Sequence, residues 1–159
     1  MKIRALRDED FVQYKVPSMF IGMAYCDWKC CHDAGIDEAV CQNHELATDP
    51  IHDVSNADLI RRYLNNDITH AIVFGGLEPM LQYPEVSAFI SELRQSGCYD
   101  TVVIYTGYTE PEIADLLPAL RDIGNIVVKF GRYMPDQQPH LDDVLGVKLA
   151  SDNQYAMAL

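Results

Sequence analysis

Met19-Phe20-Ile21-Gly22-Met23-Ala24 runs without a charge into Tyr25-Cys26-Asp27-Trp28-Lys29-Cys30-Cys31. A short apolar run bounded by polar residues predicts a buried strand, and the thiols that follow it stand where that strand leaves the core for a loop. Chemistry-bearing side chains of α/β proteins sit in such loops, at the C-terminal ends of parallel strands.

Three further runs share this character. His70-Ala71-Ile72-Val73-Phe74 ends in the turn Gly75-Gly76, and Thr101-Val102-Val103-Ile104-Tyr105 and Asn125-Ile126-Val127-Val128-Lys129-Phe130 follow at intervals of a helix plus two loops. All are β-branched and nearly continuous, as expected of strands covered on both faces. Between them lie helix starts. Ser55-Asn56-Ala57-Asp58 resembles a capping box ahead of Leu59, Ile60, Tyr63 and Leu64, and Pro84 opens a helix whose Val86, Phe89, Ile90 and Leu93 form one stripe. A third helix is expected from Glu110-Pro111-Glu112 through Ile113, Leu116 and Leu117, ended or bent by Pro118.

This alternation predicts an α/β fold with mainly parallel strands joined by right-handed crossovers. Four main strands are too few to close an eight-fold barrel, so an open partial βα barrel or a twisted sheet is expected, as a single domain over residues 1–159. The first dozen residues and Leu145-Gly146-Val147-Lys148-Leu149-Ala150 are candidate edge strands.

Composition narrows the function classes. A formal net charge of −12 leaves no basic tract to neutralise a phosphate backbone, which argues against direct nucleic-acid binding. No apolar run is long enough to span a bilayer, and the charged N-terminus reads as unexported, so a cytoplasmic location without membrane association is expected. Of the five cysteines, Cys26, Cys30, Cys31 and Cys41 crowd one segment while Cys98 stands alone. In a cytoplasmic protein such crowding suggests metal ligation rather than disulfides.

Three thiolates can hold three irons of a [4Fe–4S] cluster and leave the fourth open, whereas electron-transfer clusters have four protein ligands. The competing metal reading is a structural zinc site, in a non-catalytic binding module, with His32 and His44 near the thiols. Zinc sites of that kind use paired Cys-x2-Cys clusters, which this chain lacks. His52, His70 and His140 have no partner spacing, and Met19, Met23 and Met80 read as core residues.

A strand, a three-cysteine loop and a Gly-Gly-Glu-Pro-like turn, here Gly75-Gly76-Leu77-Glu78-Pro79, together resemble the radical S-adenosylmethionine (SAM) enzymes. Within them the chain resembles the small activating proteins of anaerobic ribonucleotide reductase, through Tyr105-Thr106-Gly107-Tyr108-Thr109-Glu110 and the terminal Leu149-Ala150-Ser151-Asp152-Asn153-Gln154 as well. The resemblance implies that an open iron chelates SAM and that the cluster cleaves the sulfonium by one-electron reduction. The family spacing Cys-x3-Cys-x2-Cys is altered: Cys26 and Cys30 match the first two ligands, and Cys41, in Cys41-Gln42-Asn43, matches the third. Residues 31–40 then form an insertion, with Cys31 a bystander or, if the adjacent pair exchanges roles, a ligand in place of Cys30.

The resemblance places Val40 beside the SAM adenine. It assigns Gly75, Gly76 and Glu78 to the methionyl amino group; Thr106, Gly107 and Tyr108 leave the third strand on the side of that ligand and are expected at its ribose or carboxylate. Lys129 and Arg132 could pair with an anionic group, although a strand-end salt bridge is the simpler reading. The implied partners are a large glycyl radical enzyme, namely anaerobic ribonucleoside-triphosphate reductase, and a one-electron donor such as a flavodoxin. Another peptide or a small molecule is the alternative substrate.

Overall fold

A computed structural model describes all residues from Met1 to Leu159. Four parallel strands form its centre: β2 (Ser18–Met23), β4 (Ala71–Gly75), β5 (Thr101–Tyr105) and β6 (Ile126–Phe130), adjacent in that order. β1 (Lys2–Asp10) pairs antiparallel with β2 on one flank, and two-residue β3 (His52–Asp53) adds to β1. On the other flank β9 (Tyr155–Ala158) runs antiparallel to β6. The seven-stranded order is therefore β3-β1-β2-β4-β5-β6-β9.

Successive residues of these strands feed two cores, as period-2 geometry requires. Ile72, Phe74, Val102, Ile104, Val128 and Phe130 join the larger cluster under α3 (Asn56–Leu64), α4 (Tyr83–Gln95) and α5 (Leu117–Ile123). Phe74 meets Phe89 of α4 edge to face at 5.3 Å between ring centroids, and both are fully buried. Burying one such side chain contributes about 1.5–3 kcal/mol. Phe20, Val73, Val103 and Val127 face the opposite side, where Tyr14, Leu145 and Leu149 cover them. That second layer explains why the strand sequences are continuous rather than alternating.

Several expectations are corrected. Residues 110–117 do not make one helix: Glu110–Ile113 is a 3-10 turn, capped by Thr109 with Glu112 in a reciprocal box, and α5 begins only at Leu117. Pro118 therefore opens α5 instead of ending a helix, because its missing N–H costs nothing in a first turn. The stretch 145–150 does contain a strand, β8 (Val147–Leu149), but it pairs with β7 (His140–Asp142) in a separate hairpin. The outer strand of the main sheet is β9, which the sequence pattern did not announce. The Ser55 cap is present, its hydroxyl accepting from Asp58 N at 3.1 Å.

The cysteine segment is helical in pieces. It contains α1 (Lys29–Ala34), a 3-10 turn at Glu38–Val40 and α2 (His44–Thr48). No helix of the protein is long and apolar enough to cross a membrane.

Candidate iron–sulfur site

Because β2, β4, β5 and β6 run parallel, their C-terminal ends open onto one edge of the sheet. That edge collects Cys26 after β2, Gly76 to Glu78 after β4, Thr106 to Tyr108 after β5 and Gly131-Arg132 after β6. Backbone hydrogen bonds stitch these turns together: Glu78 N donates to Tyr25 O at 2.8 Å, Thr106 N to Lys129 O at 2.9 Å and Gly131 N to Tyr108 O at 3.0 Å.

Glu78 lies at the centre and is 6 % exposed. Its Oε1 accepts from Met80 N at 3.0 Å and from Thr106 Oγ1 at 2.7 Å, while Oε2 accepts from Gly107 N at 2.8 Å. Burial raises the Glu78 pKa, and these three donors oppose the rise. A carboxylate oxygen accepts about two hydrogen bonds, so one acceptor direction remains at Oε2. Gly107 is the contact between this carboxylate and the thiols. A Cβ there would stand 2.8 Å from Cys30 Sγ and 3.4 Å from Glu78 Oε2, so only glycine lets the three approach.

Burial pushes the Cys26 thiol up to about 12, and it raises Cys30 and Cys31 as well. At Cys30 the Glu78 charge adds to the rise, whereas Lys129 and Arg132 oppose it. Protonated thiols must release protons to bind metal. Lys129 is 7 % exposed, forms no ion pair and gives its Nζ hydrogen bond to Gly131 O at 2.7 Å. Burial lowers it to about 8, against the attraction of Cys30 and Glu78. Arg132, by contrast, does form a strand-end salt bridge, with two 2.7 Å bonds to the oxygens of Glu112.

Cys30 lies against Gly107 beside Glu78, whereas Cys31 is buried, 2 % exposed, with the Cys41 and Cys30 thiols adding to the rise that burial gives its pKa. Adjacent residues on a helix point about 100° apart, which separates Cys30 from Cys31. Val40 is 70 % exposed, and Leu46 of α2 covers the space over Gly76, whose φ is 77°. Thr106 and Gly107 are both engaged by Glu78. Trp28 sits over His44, 6.1 Å between ring centroids.

No three His, Cys, Asp or Glu side chains converge on one metal position. Thiolates bound to different irons of a cluster stand farther apart than the ligands of a single zinc ion, and all the cysteines are free. The soft thiolate donors suit an iron–sulfur cluster.

Sequence reasoning missed Asp27, Asp33 and Glu112 as members of the site, and it assigned no contact to Asn153 and Gln154. Asn153 Nδ2 donates to Arg132 O at 2.9 Å and Gln154 Nε2 to Gly131 O at 3.2 Å, so the Ser-Asp-Asn-Gln turn buttresses the end of β6. The motif itself was the available signal.

The chain belongs to the 4Fe-4S single cluster domain family, whose model matches residues 18–148, and is thus an iron–sulfur protein of radical SAM-like type. The matched span runs from the start of β2 into β8 and holds every thiol and the whole strand-end edge. No curated protein and no solved structure matches it.

Proposed function

We propose that the chain is a radical SAM activating enzyme that generates a glycyl radical on a large partner, anaerobic ribonucleoside-triphosphate reductase. The observation that carries the reading is the meeting of Cys30, Gly107 and Glu78 at one strand-end edge. When bound, the [4Fe–4S] cluster supplies one electron, from a donor such as a flavodoxin, for reductive cleavage of SAM.

The chain's own residues bind and orient. Cys26, Cys30 and Cys41 are the proposed cluster ligands, with adjacent Cys31 as the alternative to Cys30. Glu78 offers its remaining Oε2 acceptor to the methionyl ammonium, on the side where Gly107 leaves room. Gly75 and Gly76 line the same turn with backbone, and Thr106 and Gly107 line the ribose or carboxylate side. Leu46, which lies over Gly76, would border the bound ligand, and Val40, in its exposed turn, would lie on the adenine side. An open partial βα barrel is the corresponding fold, with the hairpin β7–β8 closing one face of the sheet.

Electron paramagnetic resonance of anaerobically reconstituted, reduced protein with and without SAM tests the reading. A reduced [4Fe–4S] signal that changes on SAM addition is expected. A signal insensitive to SAM would remove the radical mechanism and leave an electron carrier. Capture of a glycyl radical protein under the same conditions tests the partner, and SAM cleavage without such capture would favour another peptide or a small molecule.

A further inference from the structure

Two carboxylates of the cysteine segment are held by side chains from the far side of the site. Asp27, between Cys26 and Cys30, accepts from Tyr108 Oη at 2.7 Å through Oδ2 and from Lys29 N at 3.1 Å through Oδ1. Asp33, two residues beyond Cys31, has its Oδ2 3.1 Å from Arg132 Nε, as a charge contact rather than an aligned hydrogen bond. Lys29 Nζ lies 3.7 Å from the same oxygen.

Both holders are themselves immobilised. The Arg132 side chain is 9 % exposed, its fork is filled by Glu112, and its guanidinium lies 5.5 Å from the centroid of the Tyr108 ring. Its carbonyl is held by Asn153, and Tyr108 N donates to Thr106 Oγ1 at 3.0 Å. An exposed ion pair contributes little because two flexible side chains must be ordered to form it. Arg132 and Tyr108 are already ordered by other contacts, so that cost falls on Asp27 and Asp33 alone.

The segment they hold has little else to fix it. α1 is six residues long, too short to persist by itself, and Cys31 is its one buried residue. Trp28, which precedes it, lies in the left-handed region at φ 56°, a conformation that surrounding contacts must maintain.

We infer that Tyr108 and Arg132 are positioning residues that dock residues 26–34 onto the ends of β5 and β6 through Asp27 and Asp33, and so place Cys26 and Cys30 for cluster uptake. The docking stands on the contacts alone; the link to cluster uptake rests on the function proposed above.

The test compares wild type with Tyr108→Phe, Asp33→Asn and the double variant. Tyr108→Phe keeps the ring under Arg132 and removes only the hydroxyl. Amide hydrogen exchange is followed by mass spectrometry in protein without added iron, with α4 as the internal reference. Exchange across residues 26–36 is expected to quicken about tenfold in each single variant and further in the double, with α4 unchanged. An unchanged segment in the double variant would overturn the docking. Each protein is then reconstituted with iron and sulfide, and iron release to a chelator is timed. Release about tenfold faster in the variants, with an unaltered cluster spectrum, is expected. Wild-type release from a variant whose segment exchanges faster would overturn the placement of the thiols. Failure of wild type itself to take up iron and sulfide would overturn the proposed function instead, and the exchange data would still decide the docking.

Discussion

Thr106 Oγ1 donates a 2.7 Å hydrogen bond to Glu78 Oε1, tying the turn after β5 to the turn after β4 inside the protein. The glutamate of the Gly-Gly turn is therefore a structural tie as well as a candidate ligand contact. With Gly107 N on Oε2, two hydrogen bonds join the two turns.

Thr106→Val should destabilise the protein by about 1–3 kcal/mol, since a buried carboxylate loses a donor that no water replaces. The shape of the side chain is kept, so a cavity does not confound the result. Urea unfolding checks this, and an unchanged midpoint would show that the tie contributes nothing.

Gly107→Ala puts a methyl group 2.8 Å from Cys30 Sγ. Because the obstructed atom is the tip of a side chain, the thiol should turn away and the fold should survive, at a cost of about 1–3 kcal/mol. Iron uptake measured at fixed protein folding should fall severalfold or more. Full uptake would mean that Cys30 does not approach the site from the Gly107 side.

Cys41→Ala should abolish SAM-dependent radical formation, whereas Cys31→Ala should retain it and lose about 1 kcal/mol of stability for a small buried group. Iron counting alongside circular dichroism separates the two effects. The reverse pattern would identify Cys31 as a ligand in place of Cys41.

The Arg132 fork holds the Glu112 carboxyl down at about 2. A group whose folded pKa is depressed binds fewer protons folded than unfolded, so its contribution is full above the ordinary value of 4.5 and is lost as pH falls toward 2. The difference in Tm between wild type and Glu112→Gln should therefore be constant above about pH 5 and shrink across that window. A difference independent of pH would mean that the pair contributes through packing alone.

Much of the scaffold was legible in the residues. Four continuous β-branched runs, separated by capped amphipathic stripes, have one economical solution, a parallel sheet covered on both faces, and β2, β4, β5 and β6 are adjacent as that pattern requires. The same logic put Cys26, Gly75, Gly76, Thr106 and Gly107 at the ends of strands, because the side of the sheet to which a parallel strand runs out does not depend on its neighbours. Periodicity is a local property, legible without knowledge of strand order. Pro118 is ambiguous in the sequence because proline stops a helix or starts one according to whether the preceding turn is already helical, which the chain decides only when Leu116 and Leu117 pack.

What only the tertiary structure decided are the contacts between turns. That Glu78 meets Thr106, that Tyr108 and Arg132 reach Asp27 and Asp33, and that β9 rather than β8 completes the sheet all depend on strand order and register. These partners lie tens of residues apart along the chain, and no local pattern selects one carboxylate over another in a protein with 24 acidic side chains. The sequence by itself determined that Cys26, Gly75, Gly76, Thr106 and Gly107 stand at the strand ends; the packing of the sheet added Asp27, Asp33 and Glu112 and determined which residues touch there.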